Sequence, residues 1–265
     1  MRRAFSLVAL VIGAAGLTGC QYGAYFFRDT HRPVQALDIQ RDPYVRSDCL
    51  VVLMPGMLDL PDQYLEHGFI EDAMRRPGRC DFVAVDAHFA YYREGSLRRA
   101  VGEDIIVAAQ ARGYESIWIV GISMGGLGAL LVAEEYAQVI DGIVLLAPFL
   151  GDEALVRSIE EAGGLEAWDA PEGMDRYDED EFDDELWGWL QGYATEPSAR
   201  PPLYIGVGTE DRLRPGVGLL AQVLPDERSG EAEGGHDWAT WRVLWRRLLA
   251  SPPWDPAAGV PRIDR

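Results

Sequence analysis

The stretch Glu115–Leu131, E-S-I-W-I-V-G-I-S-M-G-G-L-G-A-L-L, constrains this chain more than any other. Ile117, Trp118, Ile119 and Val120 make a short apolar run rich in β-branched and aromatic residues, the pattern of a fully buried strand. A glycine-rich turn follows at once, and Leu127 to Tyr136 is compatible with a helix. Between them lies Gly121-Ile122-Ser123-Met124-Gly125, which fits G-x-S-x-G. A serine on so sharp a strand-to-helix turn has strained backbone geometry, so the positions two residues to either side must be nearly free of side chain. The turn lifts the Ser123 hydroxyl above the sheet and aims a helix N-terminus at it, where charge on an oxyanion would develop.

The rest of the chain alternates in the same way. Strands are predicted at Cys49–Met54, Asp81–Asp86, Ile140–Leu146, Leu203–Val207 and Gly230–Glu233, with an edge strand within Val34 to Ile39. Helices are predicted at Asp62–Arg76, ended by Pro77-Gly78, at Ser96–Arg112 with Gly113 as its cap, and at Arg214–Val223. Thr240–Leu249 is amphipathic, with Trp241, Leu244, Trp245 and Leu248 on one face. Such alternation implies an α/β fold, a mainly parallel, doubly wound sheet flanked by helices. A length of 265 residues suits one large domain, placed at residues 49–250, before an irregular proline-rich tail at 251–265.

Strand, elbow and helix together resemble the nucleophile elbow of the α/β-hydrolase family, and the resemblance spans roughly Cys49 to Leu249. It implies a Ser-His-Asp triad. His236, on a glycine-freed loop between the last strand and last helix, matches the family's histidine. Asp211 in Gly208-Thr209-Glu210-Asp211 matches the acid turn, with Glu210 as the neighbouring alternative. Asp237 reads as a structural or helix-start residue. The expected oxyanion donors are the amides of Met124 and Met57, with Leu58 as an alternative because Pro55 stands where the family often carries histidine. His88 and Tyr91 follow a strand at the edge where ligands of such folds bind, so they either line a substrate pocket or pack the loop. In the family's sheet the strands beginning at Cys49 and Cys80 are close and parallel, which allows a disulfide; a pair of buried free thiols is the alternative.

Residues 151–200 stand where the family inserts a cap, and are expected to form a small acidic helical lid. The carboxylates from Asp175 to Glu185 lack the spacing and glycine of a calcium loop, so a solvated acidic surface is expected, with Trp187 and Trp189 facing pocket or core. No metal or cofactor is implied.

Net charge is −19 and all 24 basic residues are arginine, which argues against nucleic-acid partners and against charge-driven docking on anionic lipid. Arg2 and Arg3 precede an apolar run from Phe5 to Leu17, too short to span a membrane, ending at Leu17-Thr18-Gly19-Cys20. That end resembles the lipobox of bacterial lipoproteins. It implies a signal peptide over residues 1–19 and lipidation of Cys20. Residues 20–48 then read as a tether, on which Tyr22, Tyr25, Phe26 and Phe27 are expected to pack against the domain. Gln21 favours the outer membrane, facing the periplasm. The expected activity is hydrolysis of a carboxylic ester, small-molecule or lipid, through an acyl-enzyme. Acyl transfer or amide cleavage by the same triad, and a non-catalytic surface binding module, remain the alternatives.

Overall fold

The computed structural model describes residues 25–76, 78–171 and 182–250. The proposed signal peptide, Cys20, Tyr22, the acidic residues before Phe182 and the proline-rich tail lie outside them.

Seven strands form one sheet among the described residues: β1 (Ala36–Ile39), β2 (Cys49–Met54), β3 (Cys80–Val85), β4 (Ser116–Ile122), β5 (Gly142–Leu146), β6 (Leu203–Gly208) and β7 (Ser229–Ala232). Their order is β1-β3-β2-β4-β5-β6-β7. Only β1 runs antiparallel, on the edge against β3; every other pairing is parallel. The central strands are apolar throughout because both faces of such a sheet are covered: Leu50 to Met54 and Ile143 to Leu146 are buried along their whole length. Chain order reverses across β3-β2-β4, and the loops after β2 and β4 leave the same carboxyl edge.

The helices are α1 (Gln63–Glu66), α2 (Phe69–Met74), α3 (Phe89–Arg93), α4 (Leu97–Val101), α5 (Ala108–Ala111), α6 (Met124–Glu135), α7 (Glu153–Glu161), α8 (Phe182–Thr195), α9 (Arg214–Ala221) and α10 (Trp238–Leu248). The single helix expected over Asp62–Arg76 is two, because Gly68 adopts φ 75° and breaks the run between α1 and α2. The helix expected over Ser96–Arg112 passes from α4 through a π-helical stretch, Gly102–Val107, into α5. Helix α6 is buried from Met124 to Ala133, so it is apolar all round rather than amphipathic. In α10 the buried stripe is Trp241, Leu244 and Trp245, each contributing about 1.5–3 kcal/mol by burial. Asp72 on α2 is bound by Arg242 at 2.6 Å and Arg246 at 2.8 Å, which ties α2 to α10 and holds its carboxyl down at about 2.

Cys49 and Cys80 are disulfide-bonded, at paired positions at the starts of β2 and β3. Of the segment 151–200, the described part contains α7 and α8. Trp187 is fully buried and donates to Leu150 O at 2.6 Å, so it belongs to the core. The solvated acidic surface expected from Asp175 to Glu185 fails at Asp183. Its Oδ1 is buried without a hydrogen-bond partner among the described residues, and burial raises its pKa to about 7. Phe27, expected to pack on the domain, is instead 86% exposed.

Candidate active site

Ser123 joins β4 to α6 with φ 52° and ψ −118°, a conformation that costs a residue bearing a Cβ about 1–3 kcal/mol. Neighbouring backbone holds it there. Ser123 N–H donates to Leu146 O at 3.0 Å, and Ser123 O accepts from Phe149 N–H and Gly126 N–H, each at 2.9 Å. A Cβ on Gly121 would come 2.3 Å from Gly125 O, and one on Gly125 would come 2.1 Å from Met54 O. The two glycines of the motif are thus required by close backbone approach.

His236 stands on the loop between β7 and α10. Its Nε2 lies 2.9 Å from Ser123 Oγ and its Nδ1 lies 2.8 Å from Asp211 Oδ2. A neutral imidazole with its proton on Nδ1 satisfies both contacts, donating to Asp211 and accepting from the serine hydroxyl. Asp211 is 5% exposed, and its Oδ1 accepts from Leu213 N–H at 2.9 Å. Glu210, the neighbouring alternative, is exposed. Asp237 accepts from Thr240 N–H at 2.9 Å and caps α10. The structure therefore brings Ser123, His236 and Asp211 into one hydrogen-bonded row and leaves Glu210 and Asp237 out of it.

Met124 is the first residue of α6, whose opening N–H groups have no partner within the helix. Met57 lies on the loop after β2, beside Gly56, where a Cβ would stand 3.5 Å from Ser123 Cβ. Leu58 has φ 72°, and its amide approaches the Tyr25 hydroxyl, although that buried hydroxyl completes no hydrogen bond among the described residues.

Four further residues at this edge carry no sequence motif. Asp59 Oδ1 accepts from Trp238 Nε1 at 3.3 Å, while Oδ2 would lie 2.7 Å from a Cβ on Gly56. Burial raises the Asp59 carboxyl, opposed by the Trp238 N–H and by the nearby His67 and His236. The His67 ring stacks on Trp238 with centroids 4.5 Å apart. Trp241 packs edge-on against His236 at 4.9 Å. The only sequence signal for this group is the density of aromatic residues after His236.

His88 and Tyr91 are 2% and 1% exposed. The Tyr91 hydroxyl donates to His31 O at 2.9 Å and accepts from His31 N–H at 3.0 Å. His88 lies between Tyr25 and Tyr91, and burial lowers its pKa. In this conformation neither offers surface to a substrate, and loop packing describes their contacts. A cavity of about 240 Å³ lined by Ile205, Val207, Val217 and Ala221 shares no residue with the triad.

No curated protein matches the sequence. Among solved structures the chain is similar to an S-formylglutathione hydrolase from Staphylococcus aureus, with TM-score 0.51 and 17% identity over 84% of this chain and 98% of that one. It is similar to a fluorophosphonate-binding serine hydrolase from Staphylococcus aureus, with TM-score 0.51 and 14% identity over 82% and 96% of the two chains. A third likeness is to an alpha/beta hydrolase enzyme from a lagoon-sediment metagenome, with TM-score 0.50 and 15% identity over 84% and 97%. At these identities the likeness is one of fold. A model of the alpha/beta hydrolase fold matches residues 51–201, more than half of the chain, ending before Asp211 and His236. With the sheet order and elbow described above, that match identifies the chain as a member of the α/β-hydrolase family.

Proposed function

We propose that this protein is a serine hydrolase that cleaves a carboxylic ester through a Ser123-His236-Asp211 triad, carried on a lipid anchor at Cys20. The observation that carries the proposal is the hydrogen-bonded row from Asp211 through His236 to Ser123, at 2.8 and 2.9 Å. It supports a definite sequence of steps. His236 Nε2 takes the hydroxyl proton as Ser123 Oγ attacks the ester carbon, and Asp211 stabilises the imidazolium that forms. The amides of Met124 and Met57 hold the oxyanion, aided by the positive end of α6. The proton then passes from His236 to the departing alcohol, and water, activated by the same imidazole, releases the acid.

The proposed anchor rests on the Leu17-Thr18-Gly19-Cys20 pattern, and places the protein in a bacterial cell envelope, on the outer membrane facing the periplasm. Lidding of the site by α7 and α8 is part of the same proposal. The test is labelling with a fluorophosphonate, which reacts with an activated serine. Label on Ser123 that vanishes in His236→Ala supports the triad, and an unlabelled wild-type protein contradicts it.

A further inference from the structure

The first described residues cross the edge of the sheet that carries Ser123. Tyr25 is 6% exposed and meets His88 with ring centroids 6.4 Å apart, and Phe26 meets Phe89 at 5.4 Å. Phe26 O accepts from Arg93 Nη1 at 3.0 Å, and Arg28 is ion-paired with Asp86, just past the end of β3. The Tyr25 hydroxyl is buried towards the amides of Leu58 and Phe89, and burial pushes its pKa up to about 12. The chain therefore reaches the body of the protein beside the very loop expected to supply the Met57 oxyanion donor.

Cys20 lies five residues before Tyr25. An extended chain covers at most about 3.6 Å per residue, so roughly 18 Å is the greatest separation between the two. A lipid on Cys20 would thus hold the bilayer surface within about 18 Å of the point where the chain joins the catalytic edge. Two exposed apolar side chains border that edge. Phe27, at 86% exposure, follows Tyr25 and Phe26, and Leu60, at 44%, follows Asp59 on the loop after β2. An aromatic ring held out beside a lipid attachment point buries its area by entering the membrane interface. The net charge of −19 offers an anionic surface no attraction, so such contact would rest on acyl chains and apolar side chains.

We infer that the rim carrying Phe27 and Leu60 docks on the bilayer that holds the Cys20 lipid, and that the substrate is a glycerolipid acyl ester presented by that bilayer. This inference rests on the anchored-hydrolase proposal above and names its substrate class. In the step it describes, Ser123 Oγ bonds the fatty acyl carbon and the ester C–O bond breaks. The proton held by His236 goes to the leaving lysolipid oxygen, and water then releases the fatty acid.

The test uses the full lipidated protein in vesicles of phosphatidylethanolamine and phosphatidylglycerol, following fatty acid release and, separately, turnover of soluble p-nitrophenyl acetate. Two variants are compared with the wild type: Phe27→Ser with Leu60→Ser, and a long glycine-serine linker inserted between Cys20 and Tyr25. Both are expected to keep soluble-ester turnover within about twofold while fatty acid release falls about tenfold or more. Unchanged release in both variants, or no release from the wild type while p-nitrophenyl acetate is turned over, overturns the inference. Failure of its premises reads differently. Soluble-ester turnover that survives Ser123→Ala removes the hydrolase, and absence of labelled palmitate on the protein removes the anchor; either takes the inference with it.

Discussion

Asp211 Oδ2 lies 2.8 Å from His236 Nδ1, across a sequence separation of 25 residues, and Asp211 is 5% exposed. A buried carboxylate in that position fixes both the ring orientation and the tautomer that leaves Nε2 free to accept the Ser123 proton. Asp211→Asn keeps the shape and loses that control. The expected result is a fall of about 10³- to 10⁴-fold in kcat with little change in KM, measured on a soluble ester. Glu210→Gln, on the exposed neighbour, is expected to leave kcat within about twofold.

Asp59 joins the loop after β2 to the start of α10 through Trp238 Nε1 at 3.3 Å. If the bond positions the oxyanion loop, an acceptor is what matters, not the charge. Asp59→Asn is therefore expected to hold kcat/KM at pH 8 within about threefold. Asp59→Ala, which strands the indole N–H, is expected to lose about tenfold or more. Equal losses in both variants would place the effect in the charge instead.

The backbone elements and the hydrogen-bonded row of Ser123, His236 and Asp211 are legible in the sequence for different physical reasons. Parallel strands buried on both faces, such as Leu50 to Met54, print as continuous apolar runs, and G-x-S-x-G prints because Gly121 and Gly125 meet backbone oxygens. Asp59, His67 and Trp238 could not be read this way. They come together only when the loop after β2 and the start of α10 meet, and none sits in a fixed spacing from Ser123. Asp183 was invisible for a related reason, since composition counts it with its solvated neighbours although folding buries its Oδ1. Gly68 inside a helical pattern gave no sign that it would take φ 75° and divide the segment.

Asp183 has a pKa raised to about 7, chiefly by burial and then by Asp152 and Asp184. The folded state keeps its proton over a range where the unfolded state has lost it, from the ordinary carboxylate value near 3.8 up to about 7. Its contribution to stability therefore declines as pH rises through that window. Asp183→Asn is expected to raise Tm by several degrees at pH 8 and to change it little at pH 4, measured by thermal unfolding followed by circular dichroism.

The Cys49–Cys80 bond closes a loop with a sequence separation of 31 between the starts of two central strands. By loop entropy its removal in Cys49→Ala with Cys80→Ala is expected to cost roughly 3.7 kcal/mol, seen as a lower midpoint in urea. The bond lies at the amino ends of β2 and β3, and Ser123 follows the carboxyl end of β4, so ester turnover at 20 °C is expected to survive the change.

The most direct measurement is steady-state hydrolysis of p-nitrophenyl esters of increasing acyl length by the wild-type protein and by Ser123→Ala, purified side by side. A serine aligned at 2.9 Å from His236 Nε2 predicts clear turnover by the wild type and a loss of about 10³-fold or more in the variant. Turnover that persists in Ser123→Ala, or its absence on every ester with the wild type, would contradict the assignment of Ser123 as the nucleophile of an ester hydrolase.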